Sequence, residues 1–553
     1  MTSPRHAAVA SCGLAALALL LGACGQCGAD GPSAANDTAP TPDGTARAGG
    51  PPLESPPPPE INLRSMLLEE LPAGLKPLAI SFGPLGNHVA WLEDTGVDRV
   101  RLTLDGRPGP EFVGLGEYLW SRDGLQLVYS GHTGPGEDSA GGTLLRRWYV
   151  LVGAERYGPF ARVDSTRLAD DGAVTWRATY STPTVDETRA TRPNVALVVD
   201  GVADPKFLEL PPSGMVFDRA GRIRAYRARS EKGWHLVRKG KVGPPYDRVS
   251  DARFSADGAV MAYIAGKRGE VSVEVVVNGK ASRLPFGSVR DLTPFDDGRV
   301  AAVADRRVLI TDVKAPREAW IEADRVSHLQ RVGSRLAYVL DKDGKTRFVM
   351  GADTHALPQG ASVRAVDLSP AGKRFMVRYR VGTRSEARVG KATWPSSAVV
   401  KAVTWSSDGA RLAYVMTTSG PVGKDRRPSS QATVVLDGKT LGPFEAASAL
   451  SFSPSGERFA FVARGLDGVS HVWVDGKPRR DVEGHPMAQG AAWSDNDEYF
   501  FGLVSKGRAR LVWEGGKTPF FEALYPGRFS NDGSRFGAGV RQGRELRWLV
   551  TEL

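Results

Sequence analysis

The chain has 553 residues, 41% of them hydrophobic, and a formal net charge of +10. Its three cysteines, Cys12, Cys24 and Cys27, all stand near the N-terminus, which excludes a disulfide framework or a thiolate metal site over the rest of the chain. Lys and Arg are spread along the sequence, a balance suited to weak contact with anionic lipid or polysaccharide; it gives no ground for nucleic-acid binding.

The first segment reads as an export signal. Arg5 supplies a positive start, Ala7 to Leu21 run almost wholly apolar, and Leu21-Gly22-Ala23-Cys24 closes the run with small residues. That order describes a secretory signal, and the run is shorter than the ~20 residues that span a bilayer as a helix. The Leu-Gly-Ala-Cys ending resembles the lipobox of bacterial lipoproteins. The resemblance implies removal of residues 1–23 and acylation of Cys24, with more than one chain for a stable membrane anchor. Gly25, in place of Asp, implies the outer membrane, facing the periplasm. From Gly25 to about Glu60 the chain is rich in Gly, Ala, Pro and Ser, with Pro56-Pro57-Pro58-Pro59 near its end. Such a tract buries too little apolar surface to order itself, so residues 24–61 read as a tether.

The remainder is periodic. In the unit from Val249 to Phe286, Phe254-Ser255-Ala256-Asp257-Gly258 is a turn between two short strands, Val271, Val273, Val275 and Val277 mark a third, and Asn278-Gly279 makes a tight hairpin to a fourth. The alternation is the period-two signature of a strand, and Asn-Gly accepts positive φ at both central positions. The aromatic-Ser-x-Asp-Gly turn recurs at Trp120 to Gly124, Trp405 to Gly409 and Phe529 to Gly533, with Phe452 to Gly456 close to it. Looser copies place turns at positions 86, 172, 221, 298, 333, 372 and 496. Twelve units near 40 residues match the period of propeller blades.

The turn followed by an apolar strand resembles the WD40-like repeats of the TolB-type propeller family over most of the chain. The resemblance implies an all-β β-propeller of about twelve four-stranded blades, most simply two tandem propellers of about six, at 62–316 and 317–553. A seven-plus-five split and one oversized ring are the alternatives. Relatives in that family include periplasmic interaction proteins and propeller domains attached to peptidases.

Three gaps between turns are long, and their extra residues fall at Gly131 to Gly142, Ser181 to Asn194 and Thr417 to Gln431, between second and third strands. Insertions on one face of a repeat array often mark its binding face. Candidate partner-binding residues are therefore Glu137 and Asp138, then Asp186, Glu187 and Arg189, and then Lys424, Asp425, Arg426 and Arg427.

Motifs for chemistry are missing. The sequence holds no Gly-x-Ser-x-Gly elbow and no His-Glu-x-x-His. Its eight histidines are scattered singly and read as surface or turn residues. Gly344-Lys345-Thr346, Gly438-Lys439-Thr440 and Gly516-Lys517-Thr518 lack the earlier glycine of a phosphate loop and read as hairpins. No cofactor is expected. The leading expectation is a non-catalytic envelope lipoprotein that binds a protein or glycan. A channel-centred enzyme acting on a sugar, lactone or peptide, and a purely structural envelope component, are the alternatives.

Overall fold

A computed structural model describes residues 63–553, apart from 97, 135–145, 181–194, 269–272, 285–288, 305–306, 313–318, 334, 391, 397, 423–427, 480–483, 488–490, 531–532 and 553. Cys24 and the tether lie outside the described residues.

The period-two runs become strands, and the strands form twelve antiparallel sheets. In chain order the sheets span 79–112, 114–160, 162–203, 215–242, 248–284, 289–322, 325–356, 362–396, 399–444, 446–478, 485–517 and 523–552. In the first eleven, successive strands are spatial neighbours, except that the fifth and eleventh have an inner strand in two pieces, both paired with the next strand. First strands of adjacent sheets approach one another, as Val399–Trp405 approaches Ala446–Phe452, while fourth strands splay apart. The first strands are thus the inner ones, as in propeller blades.

Strand β1, Leu63–Glu70, breaks the rule. Expected to open the first ring, it pairs instead with the final strand, Glu545–Glu552, from Leu63 opposite Thr551 to Glu70 opposite Glu545. It is the outermost strand of the twelfth sheet.

A four-stranded sheet with two apolar faces must cover both. Each sheet here packs on the next. The sixth and seventh share Ala301, Val303, Leu336 and Tyr338, so the expected boundary at 316/317 falls inside the sixth sheet, ahead of its strand Ala319–Glu322. The twelfth packs on the first, where Leu546 meets Val89 and Trp91 and the Phe82 ring lies 5.1 Å from Tyr525 and 6.1 Å from Trp548. Among the described residues no buried cluster joins the sixth sheet to the first or the seventh to the twelfth. Trp91, Trp176, Phe459 and Phe461 are fully buried between sheets; each contributes roughly 1.5–3 kcal/mol.

The inner strands are irregular. Register shifts interrupt them between Asp164 and Arg167, Arg290 and Thr293, Ser327 and Gln330, and Ser448 and Ser451. Ser165, Asp291, His328 and Ala449 there take left-handed φ of 52–57°. In the fifth, eleventh and twelfth sheets the inner strand is split in two.

Candidate functional site

The two ends of the sheets differ in chemistry. At one end sit the aromatic-Ser-x-Asp-Gly turns and the hairpins between third and fourth strands. In the ninth unit Ser406 is fully buried; its Oγ accepts from Arg411 N at 2.9 Å and donates to Asp408 Oδ1 at 2.5 Å. The same carboxylate oxygen accepts from Ala410 N at 3.0 Å. Hydrogen bonds from Ser406 and Ala410 hold the Asp408 carboxyl below its usual range. Gly409 closes the turn at φ +72°, where a Cβ would also meet Ser369 at 2.9 Å. Ser121 with Asp123 and Ser255 with Asp257 repeat the arrangement. In the eleventh unit the left-handed position is Asp497, one residue later than the expected Asn496.

The hairpin aspartates are equally committed. Asp437 accepts from Leu412 N at 2.9 Å and from Arg411 Nε at 2.8 Å. Asp475 does the same for Phe459 N and Arg458 Nε. The arginines then cross to the next sheet. Arg411 donates to Gly456 O at 3.1 Å and lies 5.3 Å from the Phe452 ring centre. Arg458 donates to Asp497 O at 3.1 Å and to Glu514 Oε2 at 2.6 Å, over the Trp493 ring. This end is spent on locking sheet to sheet.

The opposite end carries the connections between second and third strands and those between sheets. The second strands that precede the insertions, Leu127–Thr133, Val174–Thr179 and Leu412–Val422, end there. The third is largely not a loop: strands Leu412–Val422 and Pro428–Leu436 run on as a long hairpin. Glu137, Asp138, Asp186, Glu187, Arg189, Lys424, Asp425, Arg426 and Arg427 all lie outside the described residues.

The inner strands hold what the sequence reading missed. Arg248, Arg253, Arg325, Arg364, Lys401 and Arg528 are exposed on them, and none makes an ion pair among the described residues. Burial pushes the Arg528 guanidinium below its ordinary value, although the residue is partly open to solvent. Carboxylates on the same strands are mostly occupied: Asp164 by Arg177 at 2.6 Å, Asp251 by Arg227 at 3.3 Å and Asp367 by Arg378 at 3.0 Å. The cations alone were visible in the sequence; their gathering on one strand of each sheet was not.

Two histidines are not at the surface. His235 is buried between Ser230 Oγ at 2.7 Å and Gly243 O at 2.8 Å. His132 is buried too, and burial lowers its pKa. The three Gly-Lys-Thr triplets sit in hairpins as read. Among the described residues no three His, Cys, Asp or Glu side chains gather closely enough to hold a metal ion. Two shallow cavities of about 330 Å³ are present. One lies between the second and third sheets against Tyr157 and Trp176. The other lies against Phe444, His471 and Trp473.

No family model matches the chain. No curated protein matches it either. Among solved structures, the Dos1 propeller is 14% identical, covering 54% of this chain and 90% of its own, with a TM-score of 0.26. A eukaryotic initiation factor is 10% identical over 74% of this chain and 88% of its own, TM-score 0.32. The β-propeller domain of the Trilobed protease from Pyrococcus furiosus is 10% identical over 55% and 92%, TM-score 0.23. All three are what the chain is similar to in fold.

Proposed function

We propose that this chain is a non-catalytic binding scaffold of the bacterial envelope, acylated on Cys24 and carried by its 24–61 tether at the periplasmic face of the outer membrane. Its repeats are of the TolB type, and its twelve sheets form one ring rather than two tandem ones. What supports the single ring is the unbroken succession of shared cores, from the sixth sheet to the seventh and from the twelfth back to the first.

The observation that carries the binding role is the contrast between the ends. One end consumes its Ser, Asp and Arg side chains in locks between sheets. The other carries the connections between second and third strands, to which we assign the insertions with Glu137, Asp138, Asp186, Glu187, Arg189 and Lys424 to Arg427, and opens on inner strands with uncommitted cations. A partner, an envelope protein or glycan, is met there.

The test has two arms. Cys24→Ala abolishes incorporation of a clickable palmitate analogue and shifts the protein to the soluble fraction. A photo-crosslinking residue at position 137 or 187 gives partner adducts in the native envelope, and one at Lys280, on an outer hairpin, gives none. Equal adducts from both ends would defeat the assignment of the binding face.

A further inference from the structure

We infer that the inner strands of the fifth to ninth sheets form a binding track for an anionic glycan. This deepens the scaffold reading, on which it rests, by naming the partner's chemistry.

The track is built of arginine and lysine side chains on inner strands. Arg248 and Arg253 stand on the fifth sheet, Arg325 on the seventh, Arg364 on the eighth and Lys401 on the ninth. All five are exposed, and none has a carboxylate within ion-pair distance among the described residues. The last three lie on consecutive sheets, and stacked sheets sit ~10 Å apart, so their charges recur along the inner wall. Asp251 and Asp367 are turned to Arg227 and Arg378; Asp291, on the sixth sheet, is an exposed carboxylate within the track.

Charge complementarity calls for a polyanion. The rest of the surface decides which. Between the cations stand Ser250, Ser327, Ser362, Ala365 and Ala402, all small. Protein interfaces are anchored by buried aromatic and large apolar residues in pockets, and single-stranded nucleic acid is gripped by aromatic stacking platforms. Among the described residues the track has no exposed aromatic side chain, and Val399 is its one exposed large apolar residue. A hydrated polymer with carboxylate or sulfate groups needs only the charges, and Arg matches such groups in bidentate fashion. A bilayer is too broad to reach inner strands.

The full chain in detergent is titrated with fluorescent polygalacturonate, with neutral dextran, poly-L-glutamate and single-stranded DNA as the comparison arms. Polygalacturonate binds, neutral dextran does not, and affinity falls with added salt. Arg364→Glu with Lys401→Glu weakens it at least tenfold, whereas Lys241→Glu, on an outer strand, leaves it unchanged; both variants keep the parent's melting temperature. Dextran sulfate distinguishes sulfate from carboxylate preference, and binding of either polymer supports the track. The inference is overturned if poly-L-glutamate or DNA binds more tightly, if Lys241→Glu weakens binding as much as the inner pair, or if no polyanion binds. Photo-adducts from positions 137 and 187 in that last case would leave the scaffold reading standing and remove the glycan alone.

Discussion

At the scale of single residues, most polar side chains of the repeat motif hold backbone. Ser406 shows it: the hydroxyl is buried and satisfies Arg411 N. Ser406→Ala leaves that donor unpaired, and urea denaturation should show a loss of about 1–3 kcal/mol. Asp164 provides a test by pH. Burial would raise its carboxyl, but Arg177 and Ser165 outweigh burial and hold it below the ordinary value of 3.8. Because the folded value is the lower one, its contribution is complete above pH 3.8 and is lost as pH falls through the folded value. The denaturation midpoint should therefore drop on acidification below about pH 4. Asp164→Asn should be less stable at neutral pH and show a shallower acid loss; an unchanged acid slope would refute the assignment. The turn was legible in the sequence because its hydrogen bonds close within five residues. The left-handed positions of Ser165, Asp291, His328 and Ala449 were not, since nothing in those residue types requires positive φ.

At the scale of elements, strands were legible wherever valines recur at every second position, as at Val273, Val275 and Val277. The place of β1 was not. Its sequence, Leu63 to Glu70, says strand, but the partner is chosen by a contact between opposite ends of the described chain. The uncommitted inner cations escaped for the same reason: a line of residues one sheet apart in space is some forty residues apart in sequence. Removing Leu63–Glu70 while keeping the tether would strip the final strand of its outer neighbour and uncover the core at Trp91 and Leu546. The expected cost is about 2–4 kcal/mol, from backbone pairs and apolar contacts together. Limited proteolysis should then cut first in the twelfth sheet; an untouched digestion pattern would show that β1 is dispensable.

At the scale of the molecule, the proposed single ring makes a direct claim about shape. With sheets stacked ~10 Å apart, twelve of them enclose a lumen of roughly 40 Å between opposite inner strands. Negative-stain images should show one annulus; two side-by-side lobes would restore the tandem arrangement. The pairing of Leu63–Glu70 with Glu545–Glu552 also sets a timetable. Under the proposed export, N-terminus first, β1 is delivered long before its mate. Until the last strand arrives, the first sheet has one bare flank, and long-range pairing of this kind is slow because so much chain entropy must be lost to make it. In the proposed single ring, closure is then the last event of assembly, and a folding helper would have its work at that one seam.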